Sequence, residues 1–181
     1  NGTERMAGII NHLRDFSRVD ESDIRSVHSA SELLQGSLTL MRAQLVSRGI
    51  ELNISGGKDI QKVKVNPNRI EQVFINILGN ARDAVSAIEN PKIDIFLSSN
   101  DVSVVISFCD NGMGIEKHQL NKVMEPFYTS KSVGEGTGLG LSISYNIIKS
   151  VDGELNIEST EGVGTSVTVI LPIYSQPVLQ S

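Results

Sequence analysis

"NRIEQVFINILGNARDAVSAI", residues 68–88, decides how the chain must fold. Ile70, Val73, Phe74, Ile77, Leu78, Ala81, Ala84, Val85 and Ile88 recur at helical spacing and give one broad apolar face. Asn66 can cap the free backbone donors of this helix, and Pro67 fits its first turn. A helix so apolar on one side needs a surface to lie on. At roughly 100° per residue, Asn76, Asn80 and Asp83 fall within about 60° of one another, along the border of that face. Asn and Asp have poor propensity for helix interiors, so the three read either as a solvated edge or as a ligand strip. In a ligand strip, an Asn carbonyl oxygen would coordinate a hard cation such as Mg²⁺ while phosphates supply further oxygens.

Strands on both sides of this helix provide the surface. Before it, "IELNIS" and "KVKV" read as short strands flanking a "GGKD" turn. After it, "KIDIFLSS" and "VSVVISFCD" are joined at Asn100-Asp101, and "ELNIEST" and "TSVTVILP" are joined by the hairpin signal "EGVG". A short polar helix is expected around "KHQLNKVM", and another from about Leu139 to Val151. Upstream, "SASELLQGSLTLMRAQLVSRG" is a helix with Ser29 and Glu32 spaced as a capping box and Gly49 as its stop. The opening "ERMAGIINHLRDFSR" carries Met6, Ile9, Ile10, Leu13 and Phe16 as one apolar stripe that wants a partner helix, and the polar "VDESDIRSV" separates it from the rest. Tight turns between neighbouring strands favour a mixed sheet covered by helices on one face, over a doubly wound parallel sheet.

The chain has 181 residues, of which 39% are apolar, 4% aromatic and none Trp, so the core of its single domain and appendage is aliphatic. A net charge of −5 without a Lys/Arg cluster argues against nucleic acid as a partner. Cys109 is the one cysteine, which excludes an intrachain disulfide and points to a reducing compartment. No apolar run is long enough to span a bilayer and no signal peptide opens the chain. Because Asn1 rather than Met comes first, the chain reads as part of a longer protein.

Four further stretches could carry chemistry. In "DNGMGI", residues 110–115, an apolar strand ends in Asp110, and Gly112 and Gly114 let the backbone lie close to a flat ligand. A carboxylate there suits the exocyclic amine of adenine. A guanine carbonyl would set acceptor against acceptor, at about 1–3 kcal/mol. In "EPFYTSK", residues 125–131, Phe127 or Tyr128 could anchor a loop and Lys131 could reach an anion. "GEGTGLGLSIS", residues 134–144, alternates glycines into a helix, yet matches neither the dinucleotide fingerprint nor the P-loop, so any phosphate it holds belongs to another architecture. "EGVGTSV" contains Gly162, Gly164 and Thr165, which alone mean a hairpin.

In this order and at these separations, "NILGNARDA", "DNGMGI", "EPFYTSK", "GTGLGLSIS" and "GVGTSVTV" resemble the asparagine, first glycine, phenylalanine, second glycine and third glycine boxes of sensor histidine kinases. The resemblance covers about residues 25–172, and "RMAGIINHLRDFSR" is similar to the second helix of their dimerisation hairpin, closest to the nitrogen- and dicarboxylate-sensing branch. It implies residues 1–24 as the end of that hairpin, 25–173 as a catalytic ATP-binding domain and 174–181 as a tail. The implied fold is an α/β two-layer sandwich, the Bergerat fold of the GHKL ATPases. Asn80 is the implied Mg²⁺ ligand and Asp110 the adenine anchor, with Asn76 and Asp83 bordering the phosphates and Gly112, Gly114 and Ile115 beside the base. Phe127, Tyr128, Thr129 and Lys131, with Gly134, Gly136, Thr137, Gly138, Leu139, Gly140 and Leu141, form the implied lid and phosphate cradle, and Thr165 lies near the adenine end. Lys131 and the positive end of the helix near Leu139 would offset the triphosphate charge.

Related chaperone, gyrase and mismatch-repair ATPases carry a water-activating Glu where this chain has Asn76, which lacks a basic oxygen for that task. The resemblance therefore implies slow hydrolysis and transfer of the γ-phosphate to a histidine imidazole, chiefly by positioning and charge stabilisation. His28 and His118 read as solvent-exposed bystanders, and His12 lies in what resembles the second hairpin helix without the acceptor's acidic neighbour. The acceptor is thus expected on a hairpin helix outside this stretch, so the chain alone should bind ATP without autophosphorylating. The implied partners are that hairpin, a response-regulator receiver domain and a second copy in the full-length protein, in the cytoplasm, with a membrane anchor elsewhere left open. A hydrolysing ATP-gated clamp, a protein-serine kinase of the anti-sigma type and a non-catalytic dimerisation module are the alternatives. They are opposed, respectively, by Asn76, by the hairpin-like helix of residues 3–18, and by the intact Asn80, Asp110 and glycines.

Overall fold

The computed structural model describes residues 24–57, 60–129 and 137–175. The opening helix with His12, and Lys131, Gly134 and Gly136 of the expected lid, lie outside the described residues. A five-stranded sheet in the order β2-β4-β5-β7-β6 forms one layer, built from β2 (Glu51–Gly56), β4 (Lys92–Ser99), β5 (Ser103–Asp110), β6 (Glu154–Thr160) and β7 (Gly164–Pro172). The other layer holds α1 (Ala30–Ser47), α2 (Pro67–Ala84) and α4 (Gly140–Ser150), and the single-turn α3 (Lys117–Leu120) lies in the connection after β5. A separate ribbon pairs β1 (Ser26–Ser29) antiparallel with β3 (Lys62–Val65).

Side-chain period explains the two layers. Ile93, Ile95 and Leu97 of β4, Val104, Ile106 and Phe108 of β5, and Val167, Val169 and Leu171 of β7 are buried at every second position. They receive Ile70, Val73, Phe74, Ile77, Leu78 and Ala81 from α2 and Leu33, Leu34, Leu38, Met41 and Leu45 from α1. Phe74 and Phe108 meet across the layers with ring centroids 5.3 Å apart. Both helix starts are as expected. The Ser29 Oγ accepts from the Glu32 N–H at 3.2 Å while the Glu32 carboxylate accepts from the Ser29 N–H at 3.0 Å, and the Asn66 side chain accepts from the Arg69 N–H ahead of Pro67. The two expected hairpins form, β4–β5 and β6–β7, and in the first the Asn100 Oδ1 accepts from the Val102 and Ser103 N–H groups.

The strands expected at "IELNIS" and "KVKV" form, each with another partner: β2 runs parallel to β4, whereas β3 pairs with β1. Parallel neighbours need a crossover, and β3 together with α2 is that crossover. The stretch read as a polar separator contributes a strand at Ser26–Ser29. Its own residues carry little strand preference, and pairing with the buried Val63 and Val65 of β3 accounts for it. His28 is consequently half-buried with its ring 2.7 Å from the Ser26 hydroxyl, whereas His118 is exposed as expected. Among the described residues no helix is long and apolar enough to cross a membrane.

Candidate functional site

The site residues gather where α2, α4 and the ends of β5 and β7 meet. Asn76 and Asn80 sit half-buried on α2, one turn apart. The Asn76 amide nitrogen donates to the Gly140 carbonyl at 3.1 Å and to the Ser144 hydroxyl at 3.2 Å, so α2 is fastened to the first turn of α4. Gly140 lies against Asn76, and a Cβ there would stand 3.6 Å from the Asn76 side chain, in ordinary contact with it. Asp83, the third member of the strip, faces other partners. Its carboxylate is paired with Arg82 at 2.7 Å and with Arg48, at the end of α1, at 3.3 Å. Arg82 is itself held by the Gln44 side chain. The strip is therefore split, with one end joined to α4 and the other to α1.

At the opposite end, Asp110 closes β5 and stands in register with Thr165 of β7. Its Oδ1 accepts from the Gly112 N–H at 2.9 Å. Burial pushes the Asp110 carboxyl up from its ordinary value, and the backbone N–H groups of Gly112 and Thr165 oppose that rise. Gly112 lies against both sides of this pocket: a Cβ there would stand 2.7 Å from the Ala84 carbonyl oxygen of α2 and 2.7 Å from the Asp110 Oδ1. Gly114 passes directly against the Thr160 backbone. The loop and the β6–β7 hairpin are joined by two bonds, Gly162 N–H to Met113 O at 2.8 Å and Ile115 N–H to Ser159 Oγ at 2.8 Å. Ser159 Oγ also donates to the Gly164 carbonyl and lies 2.9 Å from the Thr165 hydroxyl.

The segment with the expected lid is closed at its base. Phe127 N–H donates to Gly138 O at 2.9 Å, and Gly138, at φ +65°, leaves no room for a Cβ against the carbonyl groups of Phe127 and Tyr128. Phe127 does not act as the apolar anchor, because it is 62% exposed with φ +69°. Met124 packs partly against the core instead, and Tyr128 is half-buried while Thr129 is exposed. Thr137 Oγ1 accepts from Leu139 N–H, Leu139 is buried, and Leu141 is half-buried. Among the described residues no side chain caps the first turn of α4. Ser144 and Ser159 are among the participants that the sequence did not mark. Ser144 sits inside the apolar run after the glycines and Ser159 inside an exposed strand, and only their distant partners give them a role.

Residues 65–175, more than half the chain, match the model of the family described as histidine kinase-, DNA gyrase B- and HSP90-like ATPase. The chain belongs to this family. Membership implies ATP as the ligand and accounts for the GHKL layering of mixed sheet and helices. The chain is similar to the sensor kinase CckA of Brucella abortus, at 36% identity over 93% of this chain and 19% of the relative. It is similar to the sensor histidine kinase ZraS of Escherichia coli, at 29% identity over 94% of this chain and 36% of the relative. It thus spans about a fifth to a third of these relatives. A solved catalytic domain of the histidine kinase ThkA superposes with a TM-score of 0.73 at 29% identity, covering 82% of this chain and 95% of that one. A complex of ThkA with the response regulator protein TrrA shares the fold, with a TM-score of 0.78 at 24% identity. The expected nitrogen- and dicarboxylate-sensing branch rests on residues 5–18, outside the described residues, and neither CckA nor ZraS carries it by name.

Proposed function

We propose that the chain is the catalytic part of a sensor histidine kinase, binding Mg-ATP and passing the γ-phosphate to a histidine on a dimerisation hairpin. From there a response-regulator aspartate would receive it. The observation that carries this reading is Asn76. A water-activating carboxylate at this position would face the Gly140 carbonyl, acceptor to acceptor, whereas the amide donates to it. The helix position that serves hydrolysis in an ATPase clamp is here given over to holding α4. Support also comes from the kinase relatives and from the 29% identical ThkA catalytic domain.

In this reading Asp110 takes the adenine amine, with Gly112, Gly114, Ile115 and Thr165 shaping the pocket around it. Asn80 offers an amide oxygen, a hard donor suited to Mg²⁺, and bound phosphates would complete the shell. Among the described residues no three His, Cys, Asp or Glu side chains gather as a metal site. Mg²⁺, when bound, neutralises phosphate charge; the chain's residues orient the nucleotide and keep a carboxylate base away from it. Thr137 to Leu141 and the start of α4 would face the phosphates, the family resemblance assigns Phe127 to Lys131 and Gly136 to the lid, and Asp83 steadies the strip through its arginines. The partners are the acceptor hairpin, a receiver domain and a second copy of the full-length protein, in the cytoplasm.

The test mixes the chain with a separately produced hairpin carrying the acceptor histidine and γ-labelled ATP. Acid-labile, base-stable label on the hairpin is expected. An unlabelled hairpin beside a chain that binds ATP and releases free phosphate would replace the kinase with a hydrolytic clamp.

A further inference from the structure

Ser144 is fully buried in α4, yet it carries a hydroxyl. That hydroxyl donates to the Gly140 carbonyl at 2.8 Å, one turn back in its own helix. Its proton is thereby used, and its oxygen accepts from the Asn76 amide at 3.2 Å. The same amide nitrogen donates to the Gly140 carbonyl at 3.1 Å. Only the nitrogen of an amide can face a carbonyl, so the orientation of Asn76 is settled by its partners and both of its N–H groups are occupied. A triangle results, in which one α2 side chain is tied to the first and fifth residues of α4. The next turn of α2 carries Asn80, and the residues just before Gly140 form the glycine-rich approach to α4.

We propose that Ser144 is a positioning residue for the triphosphate end of the nucleotide. By holding the Asn76 amide in one orientation, it sets the distance between the uncapped first turn of α4 and Asn80 on α2. Without the hydroxyl, Asn76 keeps the Gly140 bond but loses the second point that prevents rotation, and the helix start can shift relative to α2. The adenine end, built on Asp110 and the β6–β7 hairpin, has no part in this triangle. The inference rests on the reading of Asn80 and α4 as the phosphate end.

The experiment measures binding of adenosine, ADP and a non-hydrolysable ATP analogue with Mg²⁺ to the 181-residue chain by calorimetry. Ser144→Ala should weaken the triphosphate about five- to tenfold, the loss expected of one ordinary hydrogen bond, and leave adenosine unchanged. Asn76→Ala should weaken the triphosphate at least as much, and the double variant should be no worse than Asn76→Ala alone, because both remove one link. Multiplying losses, or equal weakening of adenosine and triphosphate by Ser144→Ala, would overturn the proposal. Should Ser144→Ala fold poorly, Asn76→Asp tests the same link by turning donors into acceptors, and an unaltered triphosphate affinity there would overturn it too. Asn80→Ala separates the two levels. If it removes Mg-dependent binding while Ser144→Ala does not disturb the triphosphate, only the positioning role fails; if Asn80→Ala also changes nothing, the phosphate end lies elsewhere and both readings fall.

Discussion

Replacing Asp110 by Asn should move stability and affinity in opposite directions. In the free domain, burial raises the carboxyl of Asp110, with the Gly112 and Thr165 N–H groups opposing. The native state therefore holds this proton to a higher pH than the unfolded chain does. Between the ordinary and the raised value it binds more protons, and stability falls as pH rises through that window. An amide cannot ionise, so the substitution abolishes this slope and leaves the melting temperature at neutral pH equal or higher. Affinity responds differently. Two backbone donors reach the side chain, one of them the Gly112 N–H at 2.9 Å, and they draw the Asn oxygen to themselves. The NH₂ then faces the adenine amine, donor against donor. The lost bond involves a charged acceptor, worth about 1.5–3 kcal/mol, which corresponds to about ten- to 150-fold in Kd. The same NH₂ suits the carbonyl oxygen of guanine, so GTP should gain on ATP. Calorimetric titration with non-hydrolysable ATP and GTP analogues, beside thermal melts at pH 4–8, measures all three effects. Affinity for the ATP analogue within twofold of wild type, or an unchanged ratio of the two nucleotides, would refute the role of Asp110.

Three other substitutions probe separate layers. Asn80→Ala should remove the Mg²⁺-dependent increment of ATP affinity while leaving adenosine binding intact, as read by titration with and without Mg²⁺. Ser29→Ala breaks the capping box of α1 and should cost about 1 kcal/mol in urea unfolding, without effect on nucleotide affinity. The Ser29 backbone N–H, together with its hydroxyl and His28, lowers the Glu32 carboxyl against burial, so this support holds above the ordinary carboxylate range and fades as acid protonates Glu32. Gly138→Ala forces a side chain into a left-handed backbone against the Phe127 and Tyr128 carbonyls. It should weaken binding of the triphosphate more than of adenosine, and equal weakening in the same titrations would place Gly138 outside the phosphate end.

How far the sequence could be read depends on whether the deciding partner is near or far along the chain. The α2 helix was legible because its apolar face, Asn66 cap and Pro67 all act within a few residues of one another. The same holds for the Ser29–Glu32 box and for the Asn100 turn, whose bonds span two or three residues. The strand at Ser26–Ser29 was not legible, since it exists through a partner at residues 62–65. The asparagine strip shows both cases within a single helix. Spacing correctly placed Asn76, Asn80 and Asp83 on one border, but spacing is silent on what each border position meets. Asp83 meets Arg48, 35 residues away, and Asn76 meets Ser144, 68 residues away. Periodicity reports that a face exists, whereas charge and hydrogen-bond complementarity decide what that face touches. A buried serine within an apolar run is therefore informative in its own right. A hydroxyl with no exposure must have its bonds satisfied inside the protein, and in α4 the partner that satisfies it is the residue whose identity separates an amide tether from a hydrolytic base.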